Sequence, residues 1–308
     1  MIDDCEKINL KNIRFKSVDG LSLSGYLFLP KQTIDSVIIS IHGPQGALNR
    51  EREQKFAYYC SQSNLPYFVF TNRSSAILER FNKTDKHGNI TRVLYGSAND
   101  NLCEGLYDVK GAVDKMLEIG YSKIILLAHS LSCNKIFHYL DVYGNKNIKA
   151  ICLLSPADIY NYQKKNLGES YNAVLTYAKE NINSLELINN GTLEITTKTF
   201  CEYSDEGSIT RYTNYKKDFL EEWKNLPENI FISFVGINEV LDSDPKVIFD
   251  RMKARFPCLN IVSKFYPHAR HSYGRVGSEV IEDIVEFIKN IEFKSQNNFE
   301  IKNKKGRY

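Results

Sequence analysis

Short, almost purely apolar runs alternate with longer amphipathic stretches along most of this chain. Val37–Ile41, Tyr67–Phe70, Lys123–Ala128, Ala150–Leu154, Ile230–Val235 and Asn260–Phe265 read as strands buried on both faces. Between them, Arg50–Gln62, Asn101–Ile119 with Asp100 as its N-cap, Cys133–Tyr143, Pro245–Phe256 and Gly277–Phe293 carry helical spacing. Helical crossovers between such strands make them parallel neighbours, so the pattern predicts an α/β fold with a mostly parallel, doubly wound sheet. Residues 8–29 differ: they alternate apolar and polar around Asp19-Gly20, which predicts an antiparallel N-terminal hairpin.

Two segments break the rhythm. Thr71–Asn99 is polar and long for a strand-to-helix connection, and residues 156–227 are rich in Tyr, Asn and Lys with weak helical patterning. Insertions at the carboxyl ends of parallel strands form pockets and lids. The expected organisation is therefore a core made of residues 1–155 and 228–293, an inserted cap at 156–227, and a polar basic tail at 294–308.

Composition narrows the function classes. Over 308 residues, 43% are hydrophobic and 25% charged, a globular profile that excludes disorder, collagen and coiled coil. The net charge of +3 is scattered, so no nucleic-acid partner is expected. Only the tail, with Lys294, Lys302, Lys304, Lys305 and Arg307, is locally basic, and it reads as a solvated, frayed terminus. Seven cysteines without a CxxC pair support neither a disulfide scaffold nor a thiolate zinc site. The acidic start of the chain lacks an apolar signal core, and no apolar run approaches the length of a membrane span. A cytoplasmic location with no membrane span is the expectation.

The sharpest chemical signal is Ile124-Ile125-Leu126-Leu127-Ala128-His129-Ser130-Leu131-Ser132-Cys133. A strand runs into a helix with Ser130 at the junction and small residues two positions to either side, as a nucleophile elbow requires. A hydroxyl attacks only if a base takes its proton. His271, just after the last strand, is the candidate, with His268 as second choice. The acid that orients this base should lie on the loop after Ile230–Val235, where Glu239 stands three residues after the strand-ending Gly236 and Asp242 is the alternative. Asp244 instead reads as the N-cap of the helix opened by Pro245. For the oxyanion, the Leu131 amide is one expected donor. The other should come from His42-Gly43-Pro44-Gln45-Gly46, and because Pro44 has no N–H, Gln45 is the expected donor.

These residues resemble the α/β-hydrolase superfamily from His42-Gly43 to the last helix. More narrowly, Gly96-Ser97-Ala98, Tyr107-Asp108-Val109, Ala128 through Lys135 and His271-Ser272-Tyr273-Gly274 resemble an esterase-like branch related to fungal siderophore esterases. Three departures stand out: Ala128 and Ser132 in place of glycines, Pro44 in the oxyanion loop, and Glu239 where Asp is more usual. The resemblance implies an α/β-hydrolase fold and cleavage of a small-molecule carboxylic ester by a Ser-His-acid triad, with no cofactor and no metal. The same triad could serve a thioesterase or acyltransferase with an acyl carrier protein as partner, for which Lys164, Lys165, Arg211, Lys216 and Lys217 would offer a basic mouth. A non-catalytic binding protein on the same scaffold is the third reading.

Overall fold

A computed structural model describes the backbone of residues 9–32, 34–273 and 278–305, with side chains as far as Glu292. The chain opens with β1 (Asn9–Lys16) and β2 (Ser22–Leu29), an antiparallel pair turned at Gly20, where φ is +89°. Glycine is required there twice over, since a Cβ would also lie 2.0 Å from the Thr84 carbonyl oxygen. Then follow β3 (Ser36–Ile41), α1 (Glu51–Gln62) and β4 (Tyr67–Phe70). β3 and β4 are buried at every position, which is why their sequences run apolar instead of alternating.

The polar stretch after β4 is not an irregular loop. It forms a hairpin of β5 (Glu79–Thr84) and β6 (Ile90–Tyr95), a separate two-stranded sheet. Next come α2 (Gly105–Ile119), β7 (Lys123–His129), α3 (Ser132–Tyr143) and β8 (Ile148–Leu154). Asp100 does not cap the helix. The side chain of Asn101 caps a short 3-10 turn ahead of α2, and Asp100 is buried against Ser74 and Lys135.

Residues 156–227 hold α4 (Ile159–Leu167), α5 (Tyr171–Glu180), a small β9 (Leu187–Asn189) and β10 (Glu194–Thr196) pair, and α6 (Thr197–Tyr203). Its aromatic residues fasten it to the core. Trp223 stacks on Phe137 of α3 at 4.3 Å, and Tyr171, Tyr203, Tyr212 and Tyr215 are buried in the same cluster as β7 and β8. Tyr177 is exposed. The chain closes with β11 (Asn229–Ile237), α7 (Pro245–Arg255), β12 (Asn260–Arg270) and α8 (Glu279–Lys305). The helical backbone of α8 continues through the basic segment as far as Lys305, so the expected break at residue 294 is not one of backbone structure. The tail side chains and Gly274 and Gly277 lie outside the described residues.

The sheet has eight strands in the order β1-β2-β4-β3-β7-β8-β11-β12, parallel from β4 to β12. Helices cover both faces. Val109, Val113, Ile136 and Leu140 of α2 and α3 pack on one side, and Phe56, Cys60, Ile284 and Ile288 of α1 and α8 on the other. This layering leaves the carboxyl ends of β3, β7, β8, β11 and β12 together along one edge, where ligands meet open α/β sheets.

Candidate active site

β7 delivers Ser130 to that edge. The residue has φ +58°, a left-handed conformation that a serine adopts only where its surroundings enforce it. They do so on both sides: the Ser130 amide donates to the Leu154 carbonyl at 2.9 Å, and its carbonyl accepts from the Cys133 amide at 3.0 Å. The Ser132 hydroxyl donates to the His42 carbonyl at 2.7 Å, a bond that a glycine at this position could not make.

His271 follows the last residue of β12 directly. Its Nε2 lies 2.9 Å from Ser130 Oγ, and its Nδ1 lies 2.7 Å from Glu239 Oε1. A carboxylate only accepts, so Nδ1 carries the proton and Nε2 is left to accept from the serine. β12 is longer than the sequence pattern predicts, and His268 stands exposed within it, while Ser130 bonds to His271. Of the two acids, Glu239 meets the imidazole, while Asp242 is ion-paired with Lys165 at 2.9 Å and with Lys216. Asp244 caps α7 by accepting from the Lys246 amide.

The loop from which the second oxyanion donor is expected departs from the sequence expectation. Gly43 to Gly46 form a β-turn closed by the Gly46 amide on the Gly43 carbonyl at 2.9 Å, with Pro44 at its second position and Gln45 at its third, where φ is +58°. That geometry points the Gln45 amide at the Ser74 carbonyl, to which it donates at 3.1 Å, so Gln45 is already engaged and does not face Ser130. Among the described residues, the amides of Gly43 and Leu131 donate to no protein acceptor. Gly43 is also close to Ser130, since a Cβ on it would sit 3.1 Å from Ser130 Cβ.

The loop is fixed from behind by Asn72 and Arg73, which belong to no sequence motif. Asn72 donates to the His42 carbonyl at 2.9 Å, the same oxygen that Ser132 binds. Arg73, fully buried, is held by Asp108, Asp19 and Glu104 at 2.8, 2.9 and 2.6 Å and so anchors the segment that carries Asn72 and Ser74. A cavity of about 440 Å³ opens beside this loop, bounded by Gly43, Pro44 and Arg50 and by His129 and Ser272, the chain neighbours of Ser130 and His271. No group of His, Cys, Asp and Glu side chains suited to a metal ion occurs among the described residues, and no described helix is long and apolar enough to cross a membrane.

Two further histidines pack against the loop, His129 beside Gly43 and His42 beside Gly46. His129 Nε2 donates to the His271 carbonyl at 2.7 Å, and His42 Nδ1 donates to the Gly43 carbonyl at 3.0 Å. Burial takes His42 from 6.5 down to about 4, and burial, followed by the Arg52 guanidinium, takes His129 well below the ordinary range. Both are neutral when folded but free to protonate when unfolded. The unfolded chain therefore binds more protons below pH 6.5, and stability falls as the pH drops from there towards 4. His42 alone should account for about 3 kcal/mol of that loss. Urea melts at pH 7 and 4.5 should show it, with a shallower pH dependence in His42→Leu.

The backbone aligns with solved hydrolases over nearly its whole length. It matches monoglyceride lipase of Saccharomyces cerevisiae at a TM-score of 0.66 and 13% identity, covering 94% of this chain and 98% of that one. The chain has the α/β-hydrolase fold. Within this fold it is also similar to Est1E of Butyrivibrio proteoclasticus, solved with ferulic acid bound, at a TM-score of 0.61 and 16% identity, covering 90% and 98% of the two chains. An esterase of Pyrococcus furiosus matches at a TM-score of 0.58 and 14% identity, covering 92% and 91%. Residues 106–191 of this α/β-hydrolase-fold chain match the serine hydrolase family, a span that contains Ser130 and Leu131. A search of curated protein sequences returns no match.

Proposed function

We propose that the protein is a serine esterase that cleaves a small-molecule carboxylic ester through an acyl-enzyme. The observation that carries this reading is the unbroken chain from Ser130 Oγ to His271 at 2.9 Å and on to Glu239 at 2.7 Å, with the serine held in a left-handed turn. Ser130 attacks the acyl carbon as His271 Nε2 takes its proton. The Glu239 carboxylate keeps Nδ1 protonated and stabilises the imidazolium. The amides of Leu131, at the start of α3, and of Gly43 bind the oxyanion, Gly43 taking the place that Pro44 leaves without a donor. The imidazolium then protonates the leaving alcohol, and a water deprotonated by His271 releases the acid.

The carrier-thioester alternative draws less support, because the cationic side chains it needs are engaged within the protein. Lys165 and Lys216 pair with Asp242, Lys217 with Glu206, and Arg211 with Glu222 and Asp141, while Lys164 bonds to Tyr160. An activated oxygen ester should give a burst of about one equivalent of alcohol per chain before the steady state. Its kcat/KM should exceed that of the same acyl group on a carrier protein. Preference for the carrier thioester would move the assignment to the alternative.

A further inference from the structure

Five of the eight described non-glycine residues with positive φ, namely Gln45, Ser130, Ser155, Asn238 and Tyr273, gather around this site. Such backbone conformations are costly and persist where the surroundings over-determine them. For Ser130 and Gln45 the reason is the nucleophile turn and the oxyanion turn. For Ser155 and Tyr273, at φ +46° and +56°, the side chains give the reason, because Ser155 binds Glu239 and Tyr273 binds Ser155.

Ser155 Oγ lies 2.7 Å from Glu239 Oε2 and 2.9 Å from the Tyr273 hydroxyl, which lies 2.9 Å from Ser233 Oγ. The proton directions in this chain are forced. The carboxylate only accepts, so Ser155 donates its single proton to Glu239 and must accept from Tyr273, which in turn accepts from Ser233. Hydrogen bonds aligned in one direction polarise each other. Two backbone amides complete the shell, Val235 to Oε2 at 2.9 Å and Val240 to Oε1 at 3.0 Å. With His271, Glu239 thus accepts four hydrogen bonds, which fills both oxygens.

We propose that Ser155 and Tyr273 are positioning residues that hold Glu239 in register with the base. This inference rests on the esterase reading above. A glutamate has one more rotatable bond than the aspartate usual in this place, and only a second anchor on Oε2 fixes which way Oε1 points. Ser155, at the end of β8, supplies that anchor together with the Val235 amide, and it is the side chain of the two. Tyr273, two residues after His271, ties it back to the segment that carries the base, closing a ring through His271, Glu239, Ser155 and Tyr273.

The test measures kcat, KM and the rate of fluorophosphonate labelling for wild type, Ser155→Ala, Tyr273→Phe, Glu239→Gln and the Ser155→Ala/Glu239→Gln double variant, with thermal melts to establish folding. Ser155→Ala should lower kcat about 10- to 100-fold with KM within about threefold, and Tyr273→Phe about 3- to 10-fold. In the Glu239→Gln background, Ser155→Ala should cause no further loss, because its effect runs through that carboxylate. Unchanged kcat in Ser155→Ala and Tyr273→Phe beside a wild type that labels normally would overturn this inference alone, as would a full further loss in the double variant. A wild type that takes no label would overturn the esterase reading and this inference with it. Should Ser155→Ala not fold, Tyr273→Phe, which keeps the ring and its packing, decides the matter by the same kcat criterion.

Discussion

Ser130→Ala should lower kcat for an activated ester by about 10⁴- to 10⁶-fold, and His271→Ala should lower it about as far. The two changes together should be little worse than either alone, because the hydroxyl and the imidazole act as one device: without the base the serine keeps its proton, and without the serine the base has nothing to activate. KM should move by no more than a few fold, since neither side chain is needed to hold the ground-state ester. Ser130→Ala should leave the fold intact. The turn at Ser130 is held by its own amide and carbonyl, on Leu154 and Cys133, and among the described residues the side chain bonds to His271 alone. Steady-state kinetics on the three variants, with circular dichroism to establish folding, checks this. Retention of more than about 1% of wild-type kcat in Ser130→Ala would remove the serine from the chemistry.

Glu239→Gln and Asp242→Asn should separate by about three orders of magnitude. Glu239 accepts from His271, Ser155 and the amides of Val235 and Val240, so every group around it is a donor. A glutamine must turn its NH₂ towards one of these pairs. If it faces His271, the imidazole moves its proton to Nε2 and can no longer accept from Ser130. If it faces Ser155 and Val235, the Val235 amide loses its acceptor, and the Ser155 hydroxyl must reverse to accept from the glutamine and donate to Tyr273. The first outcome predicts a fall in kcat of about 10³- to 10⁴-fold, as when a triad acid is made neutral. Asp242, by contrast, pairs with Lys165 and Lys216, both more than half exposed, and such pairs are worth about 0–1 kcal/mol. Asp242→Asn should leave kcat within about threefold of wild type. Kinetic comparison of the two variants decides between them, and the reverse pattern would return the role of acid to Asp242.

Much of this site was legible because its parts follow from chain order. Alternating apolar and amphipathic segments fix which strands are parallel, and their carboxyl ends are where Ser130, Glu239 and His271 fall. The likeness to solved structures reaches the superfamily fold and does not reach the siderophore-esterase-related branch. What the sequence withheld depends on contacts distant along the chain. The missing N–H of Pro44 points to Gln45 as the donor, but the carbonyl that engages the Gln45 amide belongs to Ser74. Ser132 reads as a mere loss of glycine until the His42 carbonyl is seen to accept from it. Ser155 and Tyr273 carry no motif at all.

The β5–β6 hairpin and the far end of β12 are hidden instead by their own residue types. The β5–β6 hairpin buries Phe81 and little else, so its strands lack the apolar face by which strands are recognised. Pro267 hides the last third of β12, yet β12 is the edge strand of the sheet, where a missing N–H goes unpunished. The same proline explains Gly236: a Cβ there would lie 2.2 Å from the Pro267 carbonyl oxygen, so only glycine lets β11 run past β12 into the loop that presents Glu239.

The central claim is that Ser130 is an activated nucleophile, and the most direct test is fluorophosphonate labelling of the purified full-length chain, read by intact mass beside Ser130→Ala. One adduct per chain in the wild type, absent from the variant, is the predicted result. A folded wild type that stays unmodified, or a variant labelled to the same extent, would contradict it.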